Sequence, residues 1–346
     1  MNGTTKKAVS SDTLTIPLID FSTFVSGSPQ ERLATAQAIL SAFQNSGFIY
    51  ISNHGINLQA IKSTFSLSAK FFARSQAEKE SLGWQGPESN RGYSQPGREK
   101  TTDLTSASDI EAKRAEEGAD LKESFEIGRE GVEGWPNMWP TNLHPDDEEG
   151  REFREHMLTF HEECKRLYVQ VMKSIAVGLG IEERWFDGYC DGGDNTLRLL
   201  HYPAVSSKVF KEKVGTVRAG AHTDYGSITL LFQDTAGGLQ VLSPSNTYID
   251  ATPIPNTIVV NAADLLARWS NDTIKSTKHR VVQPPAAEGA EEVEVHPARY
   301  SVAYFCNPNF DAFIDAIPST YSEARPKKYE GINSGDYLAQ RLAATY

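Results

Sequence analysis

Three cysteines in 346 residues, Cys164, Cys190 and Cys306, make no disulfide framework, and their spacing matches no zinc pattern. So few thiols fit a reducing compartment, and a cytoplasmic location is expected. No apolar run approaches the length of a membrane span, and no membrane partner is expected. The polar stretch Met1 to Asp12 lacks the apolar core of a secretory signal. Positive charge is scarce: 34 Lys and Arg face 45 Asp and Glu, a net charge of -11. Such a chain gains no counterion release from a phosphate backbone, so no nucleic-acid partner is expected. Internal repeats and long low-complexity tracts are absent too.

What is there is ordinary globular material, with 39% hydrophobic and 23% charged residues. The length suits one large domain or two, with ample core. After a disordered tail, Thr15 to Phe21 reads as a strand. Ser28, Pro29 and Glu31 then mark a helix start with a capping box, and Gly47 its stop. Phe48 to Ser52 reads as a strand and Asn53-His54-Gly55 as a turn, with His54 a packing residue. Asn57 caps a second helix through Phe72, burying Ile61, Phe65, Ala69 and Phe72. Trp84 to Lys100 is rich in Gly, Pro and polar residues. It suits either a lid over a site or a solvated loop. Asp103 to Asp120 reads as an exposed charged segment, and Lys122 to Gly128 as a strand.

Asp146 to Gly180 carries the longest helical pattern, with Phe153, Met157, Phe160, Cys164, Leu167, Val171 and Ile175 on one face and His156 and His161 on the polar flank. After Gly193 the texture turns to short apolar runs separated by turn signals, which suggests a sandwich or jelly roll. Ser334 to Thr345 reads as a terminal helix. The expected fold is α+β, mainly β: a double-stranded β-helix (jelly roll) core with a helical N-terminal part packed on it.

The chemistry concentrates in His222-Thr223-Asp224. In a strand, residues two apart share a face, so an imidazole and a carboxylate stand side by side. The tripeptide alone is better explained as an ordinary polar pair. His279, 55 residues beyond Asp224, starts another strand and can complete two His and one carboxylate, a geometry that suits non-haem Fe(II). Arg299 and Ser301 then share a strand face with Phe305. A guanidinium fork with a hydroxyl beside it is a carboxylate clamp, and Tyr202 can add a hydrogen bond. A surface salt bridge is the plainer account of Arg299 taken alone.

The order His-x-Asp, His, Arg-x-Ser resembles the iron- and 2-oxoglutarate-dependent oxygenase superfamily. The resemblance to its isopenicillin N synthase-like branch covers most of the chain: IPLIDF, GFIYISNHGI, HTDYGSITLLFQD-x-x-GGLQV, N-x-x-DLL-x-RWSND, STKHRVV and RYSVAYF. It divides the chain into an N-terminal non-haem dioxygenase region (14–130), a scaffold helix region (131–192), the Fe(II)/2-oxoglutarate jelly roll (193–310) and a C-terminal helical segment (311–346). It implies Fe(II) on His222, Asp224 and His279, and 2-oxoglutarate held by Arg299, Ser301 and Tyr202. It also implies O2 as oxidant and ascorbate as a supporting reductant. The reaction implied is hydroxylation of a C–H bond coupled to decarboxylation of 2-oxoglutarate to succinate.

DNTLRLLHYP, RYSVAYFCNP and the tail KYEGINSGDYLAQRLAATY resemble the fungal thymine dioxygenase (thymine 7-hydroxylase) group. This implies oxidation of the methyl group of free thymine through 5-hydroxymethyluracil and 5-formyluracil to uracil-5-carboxylate, as in pyrimidine salvage. By position, Tyr225 and Phe305 would sandwich the ring while Asn195 and Arg198 read its polar edge. Tyr225 has the opposite parity to His222 and Asp224, so this requires a bend after Asp224. The partner expected is a small molecule, and the chain is expected to be a monomer. Oxidation of another nitrogen heterocycle, as in nicotinate catabolism, or of a secondary metabolite stays open. So do a zinc hydrolase on the same triad and a non-enzymatic jelly-roll binder.

Overall fold

The computed structural model describes residues 5–11, 13–98, 108–109, 112, 120–209, 217–283 and 294–345. The expected exposed segment Asp103 to Asp120 lies almost wholly outside them, as do Glu99 and Lys100 of the candidate lid. The strands, in chain order, are β1 (Thr5–Ser11), β2 (Leu14–Asp20), β3 (Phe48–Ser52), β4 (Gly92–Ser94), β5 (Glu123–Gly128), β6 (Thr196–Tyr202), β7 (Val205–Ser206), β8 (Ala219–His222), β9 (Ile228–Gln233), β10 (Leu239–Leu242), β11 (Tyr248–Asp250), β12 (Ile258–Ala262), β13 (His279–Val281), β14 (Val295–His296), β15 (Arg299–Cys306), β16 (Phe313–Ile314) and β17 (Ile332–Asn333).

Nine strands form one sheet in the order β1-β2-β3-β12-β9-β15-β6-β5-β4, and four form a second in the order β11-β10-β13-β8. The two sheets pack through apolar side chains. Leu200, Tyr202 and Ala303 of the large sheet meet Ala219 and Val281 of the small one. Phe48, Tyr50 and Val259 meet Leu239 and Val241 further along. Helix Glu148–Gly178 covers the other face of the large sheet. All seven of its expected apolar residues are buried, and Asp147 caps its first turn.

The N-terminal part is helical, with Pro29–Asn45 and Leu58–Phe72, and it also contributes β1 to β5 to the large sheet. Several expectations are corrected. The tail before Thr15 is ordered from Thr5 as β1, antiparallel to β2. A polar edge strand takes its hydrogen bonds from its neighbour and needs no apolar signature of its own. The helix Leu58–Phe72 buries Leu67, Phe71 and Phe72, whereas Ile61, Phe65 and Ala69 are only half-buried. The apolar stripe is wide, and contact with Phe125 and Phe153 through Phe71 selects one side of it. His161 is not on a polar flank: it is buried, with Nε2 3.3 Å from Asn195 O and Nδ1 3.4 Å from Tyr304 Oη. Among the described residues, no helix is long and apolar enough to cross a membrane.

Candidate metal and co-substrate site

β8 and β13 are antiparallel neighbours with His222 directly opposite His279. β8 ends at His222, so Asp224 lies just beyond the strand rather than on its face. The chain turns there, and the carboxylate returns to the imidazoles. Asp224 Oδ1 is 3.8 Å from His222 Nε2 and 3.7 Å from His279 Nε2. One ligand atom from each of the three residues falls within 4.8 Å of the others, an arrangement that can hold a metal ion.

The surrounding hydrogen bonds orient these atoms. His222 Nδ1 lies 2.7 Å from Gly220 O and His279 Nδ1 3.2 Å from Thr277 O. A carbonyl only accepts, so each Nδ1 carries the proton and each Nε2 presents its lone pair. Asp224 Oδ2 accepts from Thr229 Oγ1 at 2.5 Å and Asn261 Nδ2 at 2.7 Å, which leaves Oδ1 toward the imidazoles. Burial, and then the neighbouring His279, pushes His222 down to about 4. Burial opposes ionisation of Asp224, but His279, His222 and the two hydrogen bonds outweigh it and hold the carboxyl below its usual range. Neutral imidazoles and an ionised carboxylate are the states that a divalent metal requires.

The triad opens into a cavity of about 520 Å³ between the sheets. β15 supplies Arg299, Ser301, Ala303 and Phe305 to its wall, and β6 supplies Tyr202, Leu200, Arg198 and Thr196. These are consecutive cross-strand pairs: Arg299 opposite Tyr202, Ser301 opposite Leu200, Ala303 opposite Arg198, Phe305 opposite Thr196. Arg299 is 1% exposed, which excludes the surface salt bridge. Its Nε donates to Gly237 O at 2.7 Å, its Nη1 to Ser301 Oγ at 3.2 Å, and its guanidinium stacks 4.8 Å over the Tyr202 ring. Among the described residues it has no carboxylate partner, and a second buried guanidinium, Arg218, lies close enough to add like charge. A buried cation without an anion is costly, so this end of the cavity suits a carboxylate. No local sequence pattern marks Arg218.

Tyr225 sits in a bend immediately after Asp224 and lines the cavity, which resolves its parity. Its hydroxyl lies 2.6 Å from Thr345 Oγ1, and Arg341 stacks 4.5 Å from its ring centre. Arg198 is buried, 5.4 Å over the Phe305 ring, with Nε 2.7 Å from Glu126 Oε1. Asn195 is the exception: it does not line the cavity. The cavity face of β6 alternates from Thr196, which places the preceding residue on the other side. Its Oδ1 accepts from the backbone of Asn307, a lining residue, at 2.9 Å, and its amide lies against the Tyr304 hydroxyl. Pro87, Glu88 and Asn90 bring the Trp84 to Lys100 segment into the wall, and Leu338, Ala339 and Leu342 bring the C-terminal helix.

Family models match over residues 16–146, the non-haem dioxygenase N-terminal region described from morphine synthesis, and over 193–308, the 2OG-Fe(II) oxygenase superfamily. The 2-oxoglutarate-Fe(II) type oxidoreductase ppzD of Metarhizium majus is 32% identical, with 95% of this chain and 94% of that protein covered. This chain belongs to the 2OG-Fe(II) oxygenase superfamily. Its enzymes are 2-oxoglutarate-dependent dioxygenases that use Fe(II), 2-oxoglutarate and O2. The proline hydroxylase buaE of Petromyces alliaceus is likewise 32% identical, over 95% of this chain and 98% of its own. A crystal structure of full-length Neurospora crassa thymine 7-hydroxylase with 2-oxoglutarate and thymine superposes with a TM-score of 0.89. It is 57% identical and covers 99% of this chain and 100% of that one.

Proposed function

We propose that this oxygenase hydroxylates the methyl group of free thymine and carries the oxidation on through 5-hydroxymethyluracil and 5-formyluracil to uracil-5-carboxylate. The observation that carries the reading is the single cavity in which Tyr225, Phe305 and Arg198 adjoin the His222, Asp224 and His279 cluster. The 57% identity to a thymine 7-hydroxylase crystallised with thymine supports it. We read the two packed sheets as the halves of a jelly roll.

In this reading His222, Asp224 and His279 hold Fe(II). Arg299, Ser301 and Tyr202 hold the far carboxylate of 2-oxoglutarate. The charge and donor set fit: three atoms converge with the lone pairs a metal needs, and a buried guanidinium waits for an anion. Once bound, the iron and its co-substrate supply the oxidising power that turns a C–H bond into C–OH, with succinate and CO2 formed alongside. The chain's own part is to place the methyl group. Aromatic faces at Tyr225 and Phe305 take a flat ring by stacking. Arg198 donates to a ring carbonyl, and Asn195, from behind the wall, holds the backbone of the lining residue Asn307 through its Oδ1. The apolar walls Leu200, Leu231 and Val281 exclude water from the reacting bond.

The test is anaerobic reconstitution with Fe(II), 2-oxoglutarate and thymine, followed by O2. Succinate and 5-hydroxymethyluracil should form together, and Asp224→Ala should abolish both metal binding and turnover. The curated relatives at 32% identity favour a second reading, oxidation of another small metabolite. Turnover with such a compound and none with thymine would establish it.

A further inference from the structure

The cavity wall contains three cationic side chains, and the fold compensates them unequally. Arg198 pairs with Glu126 across neighbouring strands β6 and β5, where the two residues are directly opposite. Glu126 is 0% exposed and its Oε1 also accepts from Ser124 Oγ at 2.8 Å. Lys122 pairs with Asp120 at 2.7 Å, both buried. Among the described residues, Arg299 hydrogen-bonds only to a backbone carbonyl and a hydroxyl. At one end of the cavity, then, Arg299 has no counter-charge among the described residues, and at the other the charge of Arg198 is compensated by Glu126.

We propose that Glu126 is a specificity-determining residue: by neutralising Arg198 it makes the ring-binding end of the cavity accept an uncharged planar heterocycle and discriminate against an anionic one. The proposal rests on the reading of Arg198 as a substrate contact. Ala303, the small residue opposite Arg198 on β15, leaves the guanidinium room to extend over Phe305. Held by Glu126, Arg198 still has N–H groups to donate to a neutral carbonyl, because a guanidinium carries five. What it lacks is net charge to attract a carboxylate. A dicarboxylate co-substrate is thereby sorted to the Arg299 end, and a heterocycle to the Arg198 end. Uracil-5-carboxylate, the acid at the end of stepwise thymine oxidation, is the anion the paired end would hold poorly. Glu126 thus favours release of the final product over the earlier, uncharged ones.

The experiment is isothermal titration under anaerobic conditions of the full chain loaded with Fe(II) and 2-oxoglutarate, using thymine and uracil-5-carboxylate as probes. Wild type should prefer thymine. Glu126→Gln, which keeps shape and a hydrogen-bonding oxygen but removes the charge, should shift the affinity ratio toward the acid by about tenfold or more. Glu126→Asp should restore most of the thymine preference. The double variant R198Q/E126Q removes both charges and should not gain affinity for the acid. These two variants carry the comparison if Glu126→Gln does not fold, since each commits to a ratio. An unchanged ratio in Glu126→Gln, or an equal gain for the acid in the double variant, overturns the proposal while leaving thymine as substrate. Wild-type protein that binds 2-oxoglutarate but not thymine overturns the substrate reading, and this proposal with it.

Discussion

Asp224 has two carboxylate oxygens, and the fold uses them differently. Oδ2 is taken up by Asn261 and Thr229, and Oδ1 faces the two imidazoles. Asn261 lies on β12 of the large sheet, whereas the histidines lie on the small one. It is therefore a fixed strut that sets the carboxylate rotamer from outside. Replacing it with Ala should lower metal affinity about 10- to 100-fold, the usual cost of losing a partner behind a ligand. Equilibrium Fe(II) or Mn(II) titration would check this, and unchanged affinity would show that Thr229 alone suffices. Asn261 stands inside a recognisable motif, N-x-x-DLL, yet nothing local to that motif points to Asp224. The 37-residue separation is bridged only by packing the two sheets together. Arg218 was equally hidden, since one arginine before a strand carries no pattern. His161 misled for the opposite reason: a lone polar residue on an amphipathic helix reads as solvated unless its partners, here Asn195 and Tyr304, are seen.

At the scale of elements, the C-terminal helix Ser334–Thr345 is anticipated to the residue by its pattern, but its role is not. Amphipathic spacing says that one face is buried, not what it covers. In the structure that face closes the cavity with Leu338, Ala339 and Leu342. Arg341 also ties the helix to Asp264 at 3.1 Å, and Asp264 accepts from Thr223 Oγ1 at 2.9 Å. The helix thus braces Thr223 and Tyr225, on either side of Asp224. Deleting residues from Ser334 onward should weaken thymine binding by at least about tenfold, since it removes a wall and the support of Tyr225. On the proposed assignment of Arg299, Ser301 and Tyr202 to 2-oxoglutarate, its binding should persist, because these residues sit on β15 and β6 rather than on the helix. Anaerobic titration of each ligand separates the two effects. Equal loss of both would mean that the helix is needed for the fold rather than for the slot.

Across the whole molecule, the large sheet joins regions that the sequence presents as separate. β3 pairs with β12, and β5 with β6, so strands from both family-model matches share one hydrogen-bonded ladder. The long helix packs its apolar face against β9 and β15 in the same core. A core this continuous should unfold as one unit. Calorimetry should therefore show a single transition, with the loss of metal binding at the same temperature. Two resolved transitions would show that the N-terminal region folds independently.

The sequence by itself determined most of the elements and the class of chemistry. Capping residues, apolar periodicity and turn signals are local, and so are His-x-Asp, the later His and Arg-x-Ser. The tertiary structure decided what depends on distance in space. It gave β1 a partner and turned Asp224 back beyond the end of β8. It buried Arg299 without a counter-charge, and it set Glu126 against Arg198. Pairing across strands and the compensation of buried charge arise only when distant segments exclude water together, and no local pattern encodes which segments those will be.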